Sequence, residues 1–507
     1  MSGVPVRRLP LLLSPDPRRV IALPFVPGET NPVGGRTRVE RIIEHVRSLS
    51  PSEAEATLAK VRAGFADRHG DLDGILDGGF EALGQRIATA GLPLDIRRLI
   101  GAYFVREYSI EAAALTNPSI VPAPEQHGVP AGSLRFIASL RAVGEGHISS
   151  IEFRTGLIDA EGELSLEPAR PPAVGERRAP LFHKSAFLAK LREIGASEAA
   201  PLPEGVEPQA DPIHAPMDEL GERFTRAELE IVLAGMERPD RSSDLTHLVV
   251  QTIRWLAASN YDLAFPPTSD ISQRVIFPAG PGESRGMEDA RLVRFTDADG
   301  EIVYYATYTA FDGFHVLPQL IETRDFETFR IATINGPAAR NKGLALFPRR
   351  IEGRYAALAR SDHENNYLMF SDNLRWWSDA QRIQIPTWPW ELVQIGNSGA
   401  PLETEAGWLV ITHGVGPMRT YALGAILLDL SDPRQVIGHL REPLLVPEAD
   451  ERDGYVPNVV YSCGQLIHAG RLVIAYGASD TRTKFAVVEL AALLAKLTAA
   501  GALPGSR

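Results

Sequence analysis

Apolar positions along the chain follow two different rhythms. Up to about residue 104 they recur every three or four residues: Val39, Ile42, Ile43 and Val46 fall on one helical face. Ser50-Pro-Ser-Glu53 has the form of a capping box with proline at the first helical position, and it opens a second helix to about residue 66. A third helix is expected over 75–88, weakened by glycines. Residues 1–104 therefore read as a helical N-terminal extension, free of gathered catalytic side chains, that packs on the main domain or joins copies of the chain into a homo-oligomer.

From about residue 105 the rhythm shortens to alternation. Strands are expected over 113–121, with a polar break at Asn117-Pro118-Ser119, and over 134–141 and 149–153, a sheet unit spanning 105–165. Residues 166–258 then read as a helical, Pro-rich insertion. Its helices are expected over 182–194, after the capping box Thr225-Arg-Ala-Glu228, and along the stripe Leu245, Leu248, Val249, Ile253 and Leu256. Pro201, Pro203, Pro208, Pro212 and Pro216 punctuate the stretch between.

Residues 259–492 return to strands, and they repeat. Strand–turn–strand units turn at Gly300, Gly353, Gly407 and Gly470, at intervals of 53, 54 and 63 residues. A hairpin around Gly132 makes a fifth unit once the insertion is set aside. A sheet-forming unit repeated about every 50 residues predicts a mainly β fold, a five-bladed β-propeller followed by a C-terminal tail over 493–507. Paired β-sandwiches would also be all-β, but would not account for turns that recur before polar strand ends. Those ends are Arg141, Tyr308, Arg360, His413 and Tyr476, with Asp480 just beyond the last. In a propeller they would converge at one mouth, although each alone is equally a polar group closing a strand.

Composition narrows the partners. The chain has 507 residues and a net charge of −12, with no basic excess to neutralise nucleic-acid phosphates. Its one cysteine, Cys463, excludes an internal disulfide, reads as a small buried residue, and suits a reducing, cytoplasmic setting. The N-terminal run Arg7-Arg-Leu-Pro-Leu-Leu-Leu is too short for a signal peptide, and no stretch approaches the ~20 apolar residues of a membrane span. The histidines lack ligand spacing, so no metal or other cofactor is expected.

Chemistry concentrates in Ser284-Arg-Gly-Met-Glu-Asp-Ala-Arg-Leu-Val-Arg294, where Glu288 and Asp289 stand between Arg285 and Arg291 at the start of a strand. Taken alone this is either a surface ion pair before a hairpin or a carboxylate held and tuned for proton transfer. Together with two arginines and a histidine at the other strand ends, it would make a pocket for a polyol and an oxyanion.

Gly286-Met-Glu-Asp-Ala-Arg291 resembles the G-x-E-D-P-R segment of glycoside hydrolase family 130, the β-mannoside phosphorylases and β-1,2-mannosidases. The likeness extends in order through Lys342-Gly-Leu-Ala-Leu-Phe-Pro348, Ser371-Asp-Asn-Leu-Arg-Trp-Trp377, Thr412-His-Gly414, Gly454-Tyr-Val-Pro-Asn-Val459 and Tyr476-Gly-Ala-Ser-Asp480. It implies a five-bladed propeller and an inverting reaction on a β-mannosidic bond. Asp289 would be the general acid, inorganic phosphate the co-substrate, and α-mannose 1-phosphate the product. By position, Arg360 and His413 would bind phosphate with Asn117, Ser119 and Gln394, while Arg141, Glu288, Arg291, Tyr308, Asn397 and Asp480 would hold the sugar. Gln394 departs from the family's usual lysine and weakens the cationic cradle; Ala290 replaces its proline. Trp388 and Trp390 suit either sugar stacking or packing. The alternatives are an inverting β-mannosidase, with Glu145 as the base that activates water, and a non-catalytic sugar-binding propeller.

Overall fold

Most of the regular structure among the described residues is antiparallel sheet laid down in local order, which is what short alternating runs separated by tight turns dictate. The computed structural model describes residues 3–28, 36–84, 91–198, 217–237 and 244–502. Five meanders follow one another. They are built on Ala114–Pro122 with Leu134–Val143 and Ser149–Ile158; on Gly286–Thr296 with Ile302–Phe311 and Val316–Thr323; and on Tyr355–Ala359 with Asn366–Ser371 and Ala380–Gln384. The fourth holds Gln394–Asn397, Gly407–Val415 and Tyr421–Leu428; the fifth holds Val460–Tyr461, Arg471–Ala478 and Arg482–Glu489. The first two join through one parallel pair, Gly286 with Ser149. The five turn glycines all have positive φ, from 76° at Gly353 and Gly470 to 146° at Gly407.

The apolar clusters connect these meanders in cyclic order. Ile137 and Phe153 of the first pack with Leu292 and Tyr304 of the second. Val293 and Phe295 continue to Ala357 and Met369 of the third. Leu358 and Leu368 meet Trp408 and Ile426 of the fourth, and Leu409 and Leu423 meet Ile474 and Val488 of the fifth. Val473 and Phe485 then return to Ile120 and Phe136 of the first. Three meanders also share a device the turn glycines did not reveal. Glu283, Glu391 and Glu451, each at most 1% exposed, sit just before the strands that open the second, fourth and fifth. Each accepts backbone N–H groups from its own preceding turn.

Helices surround this body, eight of them among the described residues. The capping boxes at Thr37, Ser50 and Thr225 all form. The expectation that residues 1–104 are helical needs correction at its start. Val6–Leu13 is a strand paired with Arg482–Glu489, and Val20–Pro24 pairs with Val105–Ser109. Only Leu9 is fully buried among 6–13, a bulge breaks the alternation between Arg8 and Leu12, and the partner strand lies far away in the sequence. The helix expected over 75–88 runs Leu72–Glu81, and residues 85–90 lie outside the described residues. In the insertion, helices Lys184–Glu198, Arg226–Met236 and Asp244–Ala258 form, but Phe182–His183 is a short strand against Arg223–Phe224. The prolines at 201 to 216 lie outside the described residues. The expected C-terminal tail begins as the helix Leu490–Ala500, anchored by buried Leu493 and Leu497.

Candidate active site

The strand Gly286–Thr296 loses register with its neighbour between Glu288 and Arg291. That bulge puts Asp289 in the left-handed region, at φ 56°. At Gly286 an added Cβ would stand 2.4 Å from Ser149 Oγ, so only glycine lets the strand begin against the first meander. A second bulge, between Thr116 and Ser119, puts Asn117 at φ 49°. Asp480 follows its strand at φ 51°. Left-handed conformations cost side-chain-bearing residues energy and gather where function demands them.

These strained positions meet. Asn117 Nδ2 donates to Asp289 Oδ1 at 2.6 Å, and the Tyr461 hydroxyl donates to Asp289 Oδ2 at 3.2 Å. Arg291 in turn donates to the Tyr461 oxygen at 2.7 Å. Glu288 is clamped by Arg141, at 2.9 Å, and by Lys342. Asp480 shares a side-chain hydrogen bond with Thr116 and lies in the field of Arg141.

On the other side of Tyr461 is a cation with no carboxylate in contact among the described residues. Arg360 donates to His413 Nε2 at 3.1 Å, and His413 Nδ1 meets the Asn397 carbonyl at 3.0 Å. The ring therefore donates from Nδ1 and accepts at Nε2, the neutral tautomer. Its ring lies edge-on to Tyr461, 4.9 Å between centroids, which joins the two halves of the site. An added Cβ at Gly396, its cross-strand partner, would stand 2.5 Å from His413 Cε1, so the ring occupies space that glycine leaves open. Gln394, two residues before Gly396 on the same strand, faces the same side as His413. Buried Nε atoms of Arg141, Arg291 and Arg360 and the Oδ1 of Asn397 have no protein partner.

Burial is the strongest influence on Asp289 and favours its neutral form. Arg291, Arg141, Lys342 and the Asn117 hydrogen bond outweigh it and hold the pKa below the ordinary aspartate value. Asp480 moves the other way: burial raises it, Arg141 opposes, and the charges of Asp289 and Glu288 add to the rise. Burial, then Arg360 and Arg291, push His413 well down.

Five expected contacts are placed elsewhere. Tyr308 is buried and its hydroxyl donates to Glu283 Oε1 at 2.5 Å, bracing the turn before the site strand. Ser119 is fully buried, and its Oγ accepts the Leu292 N–H at 3.0 Å, which ties the first meander to the second instead of facing an anion. The Trp390 ring packs on Gly414, on the strand face opposite His413, and its Nε1 donates to the Arg441 carbonyl at 3.1 Å. Trp388 stacks on His439. Glu145, the candidate base, is held by Arg106 at 3.0 Å and by the Ser109 N–H at 3.1 Å. Asn397 is buried and supports the site from behind, donating to the Gly343 carbonyl at 2.7 Å. Cys463 is buried.

The family model for glycoside hydrolase family 130, described as beta-1,4-mannooligosaccharide phosphorylase, matches residues 268–498. The 1,2-beta-oligomannan phosphorylase of Thermoanaerobacter sp. (strain X514) is 37% identical over 217 residues, 41% of this chain and 70% of that protein. The chain belongs to glycoside hydrolase family 130. The beta-1,2-mannobiose phosphorylase of the same organism is also 37% identical, over 222 residues that cover 41% of this chain and 68% of its own length. Among solved structures, the beta-1,2-mannobiose phosphorylase from Listeria innocua in complex with beta-1,2-mannobiose aligns with a TM-score of 0.44 at 21% identity, covering 76% of this chain and 92% of that one. The family match begins after the insertion and takes in Asp289, Arg360, His413 and Asp480; Asn117 and Arg141 lie before it.

Two members of the site were missed in the sequence. Lys342 stands at the head of a motif that resembles the family, so a signal was present. Tyr461 offered none, because a tyrosine beside a buried cysteine reads as core.

Proposed function

We propose that this member of family 130 is an inverting β-mannoside phosphorylase with a five-bladed propeller fold. The cyclic order of the shared apolar clusters supports the propeller. The reaction is carried chiefly by one observation: the Arg360 guanidinium has a buried, unpartnered Nε and is backed by a neutral His413, whose ring packs on the Tyr461 that donates to Asp289. A fixed cationic fork of that kind suits a phosphate oxyanion. Relatives named for phosphorolysis of β-mannosides agree with it.

In this reading a phosphate oxygen attacks the anomeric carbon of a β-linked mannoside from the face opposite the leaving oxygen. The bond from carbon to that oxygen breaks, a proton from Asp289 reaches the leaving group, and α-mannose 1-phosphate forms. Arg291, which holds Asp289 ionised, also acts on His413 beside Arg360, so an anion bound there should offset Arg291, raise the Asp289 pKa and load the acid. Arg141 and Asp480 would orient the sugar. Water needs a base where phosphate does not, and Glu145, occupied by Arg106 and Ser109, is not free to serve.

The test is incubation of the purified chain with β-mannobiose, with and without phosphate. Mannose 1-phosphate released only with phosphate is expected. Free mannose released at the same rate in both would replace this reading with hydrolysis, and sugar binding without turnover would replace it with a lectin-like role.

A further inference from the structure

A second cleft, about 520 Å³ in volume, opens between the inserted helices and the outer strands of the second meander. That is the size range of small-molecule sites. Its lining is cationic: Lys190, Arg223, Arg330 and Arg375 face it with His183, against one acidic residue, Asp262, which pairs with Arg330 at 3.5 Å. Arg375 differs from a surface arginine. It is partly buried, and among the described residues no carboxylate lies in ion-pair contact with it. Burial chiefly pulls its pKa down, Glu322 offsets part of this, and Arg330 adds to it. Glu322 and Asp262 act on Arg375 only from a distance, so its guanidinium is open to a contacting anion.

The walls are fixed. Asn335 donates its N–H to the Arg375 carbonyl at 2.9 Å, and Lys190 reaches from the inserted helix to the Ile334 carbonyl at 3.3 Å. Asn335 is 4% exposed, yet its Oδ1 has no partner. Ser185 and Ala186, in the first turn of the helix Lys184–Glu198, also line the cleft, where the helix presents its positive end and carries no acidic side chain. Asn260, Asn373 and Thr333 add neutral hydrogen-bonding groups, and Phe187 an apolar wall.

We propose that this cleft is a second binding site, for a phosphorylated sugar, with Arg375 and Arg330 on the phosphoryl group and the unpartnered Oδ1 of Asn335 on a hydroxyl. None of its residues belongs to the Asp289 site; the other equivalent expected below rests on the reaction proposed above.

Titration calorimetry of the full chain with α-mannose 1-phosphate tests it, using wild type, Arg375→Gln, Arg330→Gln and Arg360→Gln. Two equivalents are expected on wild type, with one lost or weakened tenfold or more in both Arg375→Gln and Arg330→Gln at unchanged melting temperature. Arg330 is half exposed, so its variant reports even if Arg375→Gln folds poorly. Stoichiometry unaltered by either substitution overturns the site. Inorganic phosphate binding there as tightly as the sugar phosphate overturns the sugar assignment. Loss of an equivalent in Arg375→Gln but none in Arg360→Gln would uphold the cleft while removing Arg360 from the phosphate site, so the two readings fail separately.

Discussion

Asn117 reaches across 172 positions of sequence to donate a 2.6 Å hydrogen bond to the Asp289 carboxylate. Both residues hold left-handed backbone conformations in facing bulges, so each fixes the other's aim. Asparagine tolerates that conformation as well as aspartate does. Asp289→Asn should therefore keep its melting temperature within a few degrees while kcat falls by roughly 10²–10⁴-fold, the usual worth of a positioned acid. Steady-state kinetics beside a thermal melt checks this, and undiminished turnover would remove Asp289 from the proton-donor role.

Gly396→Ala should act on phosphate alone. The new methyl would displace the His413 ring, leaving Arg360 without its backing. We expect KM for phosphate to rise about tenfold with KM for the mannoside little changed. Arg360→Gln should give a larger rise in the same parameter, roughly 10–100-fold for loss of a charge-assisted contact. Equal effects on both substrates would place Arg360 outside the anion clamp.

Anion binding should take up protons. His413 is held neutral by burial, Arg360 and Arg291, and Asp289 is held ionised by its cations; a bound dianion reverses the field at both. Affinity for the anion should then rise as pH falls, by up to tenfold per unit for each proton taken up. Sulfate, which does not itself titrate near neutrality, is the suitable probe. Calorimetry at pH 7 in buffers of different ionisation enthalpy should show net uptake, reduced in His413→Gln. Zero uptake in wild type would contradict the coupling.

Glu391 offers a stability test away from the chemistry. Burial raises its pKa from 4.5 to about 7, against the Thr387 and Trp388 N–H groups that favour the ionised form. The folded state thus binds a proton that the unfolded state releases. This contribution is complete below pH 4.5 and fades as pH rises through 7, by an amount of order 3 kcal/mol. Glu391→Gln should flatten the wild-type loss of stability over that window in urea melts at successive pH values.

What could be read ahead of the structure was local. Hairpins, capping boxes and the carboxylates of Glu288 and Asp289 at a strand start each declare themselves within a dozen residues, because turn glycines, caps and alternation act over that range. The site residues that misled were those whose side chains had a choice of direction. Tyr308 and Trp390 carry groups that suit a sugar, but a buried Glu283 and the bare backbone of Gly414 took them inward. Ser119 sits beside Asn117, but its hydroxyl is spent on the Leu292 N–H of the neighbouring strand. Tyr461 was invisible for the opposite reason: its role comes entirely from Arg291, Asp289 and His413, all distant in sequence.

The strand Val6–Leu13 has its hydrogen-bonding partner at Arg482–Glu489. During synthesis that strand must wait, unpaired, until residues 482–489 have emerged. Their pairing is among the longest-range contacts in the molecule, the kind that slows folding most. A bulky fusion placed immediately before residue 6 should delay attainment of the native state far more than one placed after the final helix.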